Sequence, residues 1–302
     1  IADCGAKIFF LDKAVAEELG GRLSRVTAKL VALDSGAPGV PHDQFIAAAG
    51  TKPAPVTLAA DMPFNIIYSS GTTGTPKGIV QSHGMRYGHV ARAQAMGYGE
   101  GAVTLLSTPL YSNTTLVSFF PTLGLGGTVV LMKKFDAARY LELAQKHRVT
   151  HTMLVPVQYS RLMAREDFGA YDLSSFVMKF CTSAPFSAAL KADVLKRWPG
   201  GLIEYFGMTE GGGTCVLAAH VYPDKLHTVG QPAPGHDIRV IDEDGRELPR
   251  GEIGELVGRS ELMMSGYHNR KSQTDAATWV SPEGLAFIRT GDVGRFDADG
   301  FV

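Results

Sequence analysis

Residues 68–78 read YSSGTTGTPKG, and what flanks them decides how the chain is read. The stretch before it, FNIIYSS (64–70), has the β-branched and aromatic character of a half-buried strand. The stretch after it, residues 78–95, carries a helical pattern, so the sequence predicts a loop between the end of a strand and the start of a helix. Gly71, Gly74 and Gly78 permit backbone conformations and close approaches that a side chain would block, letting main-chain N–H groups converge on an anion. Ser69, Ser70, Thr72, Thr73 and Thr75 add hydroxyls and Lys77 adds a positive charge. A helix starting directly behind the loop would add its partly positive N-terminus. Such a loop suits a polyphosphate. It is not the GxxxxGK[ST] phosphate loop, because this chain has Thr75-Pro76-Lys77-Gly78 where that motif needs Gly-Lys-Ser/Thr.

Outward from the loop, short β-rich runs alternate with helical patterns. VTLLST (103–108) precedes a helix over 112–123, and GTVVLM (127–132) precedes one over 136–148, with Asp136 as its N-cap. VTHTMLV (149–155), FVMKFC (176–181) and GLIEYFG (201–207) continue the series, separated by helices over 158–165 and 187–198. That rhythm predicts an α/β fold with a mostly parallel sheet flanked by helices. Beyond residue 211 the pattern changes to Gly- and Pro-rich short strands with Asp-Gly turns, DEDG at 242–245 and DADG at 297–300, which predict a small antiparallel, β-barrel-like lobe. The expected domains are therefore an α/β nucleotide-binding region over 1–210 and a β-rich lobe over 211–302, with the junction within 211–235. Residues 35–55 read as a connection carrying one short helix.

Composition narrows the function classes. With 302 residues, 45% hydrophobic, 20% charged and a formal net charge of −1, nothing argues for a nucleic-acid or anionic-membrane surface. Cys4, Cys181 and Cys215 are widely spaced and form no CxxC pair, against a disulfide framework or zinc knuckle and in favour of a reducing, cytoplasmic setting. No apolar run is long enough to span a bilayer, and the first residues lack a signal peptide's pattern. His83, His89, His147, His151, His220 and His227 show no metal-binding spacing and read as solvated or core histidines. The chain opens at Ile1 and stops at Val302 just after a turn signal, and both ends read as cut from something longer.

YSSGTTGTPKG resembles the signature loop of the adenylate-forming superfamily, which comprises acyl-CoA synthetases, aryl-CoA ligases, luciferases and nonribosomal adenylation domains. The resemblance extends, in order, to STPLYSN (107–113), TSAP (182–185), EYFGMTE (204–210), GELVGRSELMMSGYHN (254–269) and RTGD (289–292). It implies the ATP-binding core of a carboxylic acid:CoA ligase using ATP, Mg²⁺ and CoA. In EYFGMTE, the aromatic rings of Tyr205 and Phe206 can stack on a purine, Thr209 can hydrogen-bond a phosphate, and Glu210 can hold Mg²⁺, a cation that favours oxygen ligands. The resemblance puts Phe206 at the adenine, Glu210 at the metal and Asp292 at the ribose hydroxyls. Lys77, Thr209 and Glu210 become the catalytic set, while Glu204, Gly207, Met208, Ser183, Ala184 and Pro185 join the nucleotide site. Ser183 stands where the family has Gly, so a left-handed backbone there would be strained.

PLYSN is the informative departure. Many CoA ligases of this superfamily have His after the aromatic residue, beside the substrate carboxylate, and this chain has Ser112. Nonribosomal adenylation domains carry an Asp there for an amino group, and none is present. The acyl pocket is expected among Tyr111, Ser112, Asn113, Thr114, Met178 and Cys181, for a fatty or aromatic acid. The implied reaction is attack of a carboxylate on the α-phosphorus of ATP, giving acyl-adenylate and pyrophosphate, then thiol attack by CoA. Transfer to a carrier protein, or a non-catalytic nucleotide-binding module, are the alternatives. The superfamily's hinge and mobile C-terminal lobe, with its catalytic Lys, find no match in these residues, so the chain alone is expected to bind nucleotide but to adenylate little.

Overall fold

The computed structural model describes residues 1–69 and 76–302. The chain divides into two compact units, Ile1–Leu58 and Ala59–Val302. In the first, β1 (Ile8–Leu11), β2 (Lys29–Ala32) and β3 (Val40–Pro41) form a parallel sheet in that order. Helix α1 (Lys13–Leu19) is capped by Asp12, whose carboxylate accepts the Val15 N–H at 2.8 Å, and α2 (His42–Phe45) follows β3.

The second unit opens with β4 (Pro63–Ser69) and β5 (Lys77–Ser82), paired antiparallel from Pro63 opposite Ser82 to Ser69 opposite Lys77. The glycine-rich segment therefore connects two strands of a hairpin, and the expected strand-to-helix junction is corrected. The reason lies in a two-residue period that the helical reading overlooked: Ile79 and Gln81 are both fully buried along β5. Helix α3 (His83–Ala93) starts only after β5 ends, on Ser82, whose hydroxyl accepts the Met85 N–H. Its dipole does not sit behind Thr75-Pro76, so the anion-binding share assigned to a helix N-terminus falls away.

The main sheet is built from β6 (Val103–Leu106), β7 (Thr128–Leu131), β8 (His151–Leu154), β9 (Met178–Cys181), β10 (Gly201–Phe206), β11 (Cys215–Ala218) and β12 (Gln231–Pro232). Its order among the described residues is β12-β11-β10-β9-β8-β6-β7, with β10 to β7 all parallel and β11 and β12 antiparallel at one edge. Helices α4 (Asn113–Gly124), α5 (Ala137–Lys146), α6 (Pro156–Met163) and α7 (Ala188–Arg197) provide the crossovers. Asp136 caps α5 as the sequence implied, accepting the Arg139 N–H at 2.8 Å. Both sheet faces are covered. One carries the cluster around Tyr140, Tyr159, Leu162 and Trp198; the other carries Leu106, Met153, Phe180 and Ile203. This two-sided burial is why β8 reads as a continuous buried run.

After the main sheet come β13 (Asp237–Ile241), β14 (Gly254–Arg259), β15 (Gly266–Tyr267), α8 (Lys271–Ala276), β16 (Thr278–Val280) and β17 (Ala286–Gly294). Four of these form an antiparallel sheet in the order β13-β14-β17-β16, while β15 leaves it to pair with β5 of the hairpin. That pairing brings Tyr267 opposite Ile79 and into the neighbourhood of Lys77. Among the described residues, no helix is long and apolar enough to cross a membrane.

Candidate active site

In parallel α/β sheets, ligands gather at the carboxyl ends of the strands, where the chain order reverses. Here the chain runs from β6 outward to β7 and then to β8 on the other side of β6. STPLYSN follows the carboxyl end of β6, TSAP that of β9 and GMTE that of β10, so three motifs distant in sequence leave the sheet at the same edge. Between them lies a cavity of about 780 Å³, with Asn113, Thr114, Thr182, Ser183, Tyr205, Gly207, Thr209 and Glu210 on its wall.

Several backbone and side-chain groups on this wall are held by other segments. The Thr209 carbonyl accepts the Gln81 Nε2 at 2.8 Å, tying the β10 end to β5. Glu210 is buried; its Oε1 accepts the Tyr267 hydroxyl at 2.8 Å and its carbonyl accepts the Met264 N–H at 2.7 Å. Lys77 stands over the same Tyr267 ring, Nζ 5.0 Å from the centroid. Burial and the neighbouring Glu210 carboxylate push the Tyr267 phenol above its ordinary range, keeping it a neutral donor. Lys77, Tyr267 and Glu210 thus form one linked group on three separate elements. A single buried carboxylate with one oxygen engaged by a phenol fits a Mg²⁺ ion that takes its remaining ligands from phosphate and water. Among the described residues, no group of three or more His, Cys, Asp or Glu could hold a metal by itself.

Ser183 has φ +78°, the left-handed conformation in which a Cβ is strained, and its hydroxyl lies 2.7 Å from that of Thr114 across the gap between β9 and β6. Ala184 and Pro185 are exposed beside it. Tyr205 lies on the cavity wall, stacked on Phe180 at 5.8 Å, whereas Phe206 packs beside Cys215, Ile238 and Phe296. Glu204 falls on the opposite face of β10 from Tyr205. It is buried in an ion pair with Lys191 of α7, whose amine also donates to the carbonyls of Leu226 and Thr228 at 2.9 Å each. Asp292 is exposed on β17, its N–H donated to the Thr290 hydroxyl. Of the residues expected at the acyl pocket, Asn113 and Thr114 line the cavity. Tyr111 is 81% exposed, Ser112 stands at the N-cap position of α4 with no side-chain bond to the helix, Met178 is half-buried against the cluster of Met153 and Phe180, and Cys181 is fully buried, its thiol pushed up by burial. Ser69 ends β4 opposite Lys77, and Met208 lines the cavity. Ser70, Gly71, Thr72, Thr73, Gly74 and Thr75 lie outside the described residues.

With this geometry in place, comparison with known proteins decides the family. A profile of the AMP-binding enzymes matches residues 1–268. The chain belongs to the AMP-binding enzyme family. It is 30% identical to an indoleacetate–CoA ligase of Aromatoleum aromaticum over 100% of this chain and 59% of the relative, and 32% identical to a feruloyl-CoA synthase of an Amycolatopsis species over 100% and 58%. The amide bond synthetase McbA from Marinactinospora thermotolerans superposes with a TM-score of 0.87 at 29% identity, covering 100% of this chain and 60% of that one. The chain thus spans about three-fifths of the length of these relatives.

Three residues of this AMP-binding enzyme that shape the site escaped the sequence reading. Arg86 of α3 is buried and surrounded by amide oxygens, donating to Asn65 Oδ1 at 3.0 Å, Asn113 Oδ1 at 2.9 Å and Gln81 Oε1. Gln81 in turn holds Thr209, so Arg86 braces both a cavity-lining residue and the β10 end. Tyr267 lies in GELVGRSELMMSGYHN, where nothing in the sequence sets it apart from its neighbours. His89, which reads in the sequence as a core or solvated histidine, lines the cavity.

Proposed function

We propose that this chain forms the nucleotide- and acid-binding part of an enzyme that joins a carboxylic acid to ATP as an acyl-adenylate, releases pyrophosphate, and passes the acyl group to the thiol of CoA. The observation that carries this reading is the convergence of the segments after β6, β9 and β10 on one cavity, with Lys77, Tyr267 and Glu210 linked beside Thr209. The relatives' names, both thioester-forming ligases of aromatic acids, point the same way.

The substrate carboxylate is itself the nucleophile, so the chain's work is positioning and charge stabilisation. Lys77, with Ser69 and the hydroxyls of residues 70–75, would hold the departing pyrophosphate. Thr209 would hold the α-phosphate, held in register by Gln81 on its carbonyl. Glu210 would hold Mg²⁺, which when bound neutralises phosphate charge. Phe206 and Asp292 would meet the base and ribose, and the cavity would take the acyl group, excluding water from the reacting carboxylate. Free thiols at Cys4, Cys181 and Cys215 agree with a cytoplasmic setting.

The test is pyrophosphate release by the full-length protein across fatty acids, benzoates, phenylacetates and cinnamates, with CoA or a holo-carrier protein as acceptor. Release with at least one acid, thioester formed with CoA, and a fall of about 10²–10³ in rate for Lys77→Ala and Glu210→Gln are expected. No release with any acid overturns the reading, and product with the carrier protein alone overturns CoA as acceptor.

A further inference from the structure

The amide cluster around Arg86 has one donor left over. Arg86 is 4% exposed, and its guanidinium, which can only donate, meets three amide oxygens: Asn65 Oδ1 at 3.0 Å, Asn113 Oδ1 at 2.9 Å and Gln81 Oε1. That fixes which end of each amide faces the guanidinium. The Asn65 nitrogen then donates to Gln81 Oε1 at 3.2 Å, and the Gln81 nitrogen to the Thr209 carbonyl at 2.8 Å. Of the three amides, only Asn113 keeps its nitrogen without a partner among the described residues. That nitrogen is not one of the buried polar atoms left unpaired, so it is open to solvent, and Asn113 stands on the cavity wall.

The charge behind this donor and its place in the cavity define what it would meet. Among the described residues no carboxylate pairs with Arg86; burial disfavours its charge, drawing the guanidinium down to about 10, yet leaves it positive at neutral pH. A buried cation ringed by neutral amides is balanced by an anion arriving at the one amide that opens outward. Asn113 is also the first residue of α4, and Ser112 makes no side-chain bond to that helix, so its partly positive end receives no oxygen from its own cap. Gln81 Nε2 lies 3.5 Å from Asn113 Oδ1 and 2.8 Å from the Thr209 carbonyl, so Asn113 adjoins the residue assigned to the α-phosphate through a single nitrogen. Two hydroxyls on the same wall are engaged elsewhere, Thr114 with Ser183 at 2.7 Å and Thr182 with the Tyr205 carbonyl at 2.8 Å.

We infer that Asn113 receives the carboxylate of the acid, its Nδ2 donating to one carboxylate oxygen while Arg86 behind it supplies the positive charge. This rests on the acid-activating reading above, and names the group that holds the carboxylate in a chain with Ser112 where His is common. The other carboxylate oxygen is free to attack the α-phosphorus. The new O–P bond forms as the bond to pyrophosphate breaks, the electron pair leaves with pyrophosphate, and no proton moves. Arg86 touches no substrate; it is a positioning residue that holds the Asn113 oxygen inward and polarises the amide, making its N–H a stronger donor.

The experiment uses the full-length protein with whichever fatty acid, benzoate, phenylacetate or cinnamate releases pyrophosphate fastest, and the variants Asn113→Asp and Asn113→Leu. Aspartate keeps an oxygen toward Arg86, so the cluster stays satisfied and the urea midpoint is expected to be no lower than that of the wild type. The atom turned to the cavity is then an acceptor that repels a carboxylate, and kcat/KM for the acid at saturating ATP is expected to fall about tenfold to a hundredfold, the range for losing a hydrogen bond to a charged group. ATP binding, measured by calorimetry, stays at the wild-type value. Asn113→Leu, which removes donor and acceptor together, is expected to lose acid kcat/KM as well and to unfold at lower urea. Full activity in either variant, a lowered midpoint in Asn113→Asp, or an ATP affinity that falls as far as the acid kcat/KM overturns the inference. No pyrophosphate release by the wild type with any acid is the separate result that overturns the activation reading itself.

Discussion

Ser183 shows how much a single position can disclose. Its place in TSAP implied a backbone that prefers Gly, and φ there is +78°. Ser183→Gly and Ser183→Ala both delete the hydroxyl link to Thr114, yet only glycine relieves the left-handed backbone. The glycine variant is expected to be more stable than the alanine variant by about 1 kcal/mol in urea unfolding, and equal midpoints would contradict a strained conformation. Arg86 was not legible in the same way, because nothing in GMRYGHV marks an arginine as buried. Its partners Asn65, Gln81 and Asn113 come from three other elements, so only the fold reveals that they surround it. Arg86→Met would strand three amide oxygens and is expected to cost about 3 kcal/mol, the range for hydrogen bonds to a buried charge, with Arg86→Lys keeping the charge but not the fork. A loss under 0.5 kcal/mol in denaturant titration would mean the cluster is not closed in solution.

Among the elements, those of the parallel sheet were the most readable, because each βαβ unit buries a strand on both faces and leaves a run of apolar residues bounded by turns. The hairpin is hidden in the sequence for a related reason. Residues 78–82 are followed directly by helix α3 without a Gly or Pro break, so period-2 burial at Ile79 and Gln81 merges with the helical pattern behind it. Glu204 was drawn into the nucleotide site by its motif, although strand alternation alone sets it on the face opposite Tyr205. There it clamps β10 to α7 through Lys191, while on the neighbouring strand Lys179 donates to the carbonyls of Trp198, Pro199 and Gly200 at the end of the same helix. Burial raises the Glu204 carboxyl, opposed by the Lys191 charge. Removing one partner leaves the other charge buried and alone, so Glu204→Ala is expected to destabilise by about 3–5 kcal/mol. The double change Glu204→Leu with Lys191→Met should recover most of that loss, and a double variant as unstable as the single one would show that the pair is not the cause.

For the molecule as a whole, the hairpin, the β10 end and the β15 excursion meet because Gln81, Tyr267 and Arg86 stitch separate layers together, and three histidines that burial keeps neutral, on α3, on β8 and before β13, make the stability of the fold pH-sensitive. His89, His151 and His236 all have imidazolium pKa values lowered chiefly by burial, His89 to about 4. Above about pH 6.5 the folded and unfolded chains both hold them neutral, and their contribution to stability is fully present. As pH falls below that value the unfolded chain takes up protons that the folded chain refuses, so stability declines, by up to about 1.4 kcal/mol per pH unit for each histidine, until the folded pKa is passed. The carboxylates whose pKa values are lowered by partners, such as Asp193 beside Arg197 and Asp297 beside Lys225, act in the opposite part of the acid range, below the ordinary carboxylate value. In the window from about pH 6.5 to 5 the histidines act against Glu204, whose carboxyl burial raises and which therefore gains stability as the pH falls, so the histidine share is read from the difference between the wild type and His89→Leu. Urea midpoints measured at pH 7.5, 6.0 and 5.0 should fall steadily, and His89→Leu should flatten the slope by its own share while the remaining fall persists through His151 and His236. A slope left unchanged by His89→Leu would mean that the His89 ring is hydrated in the folded protein.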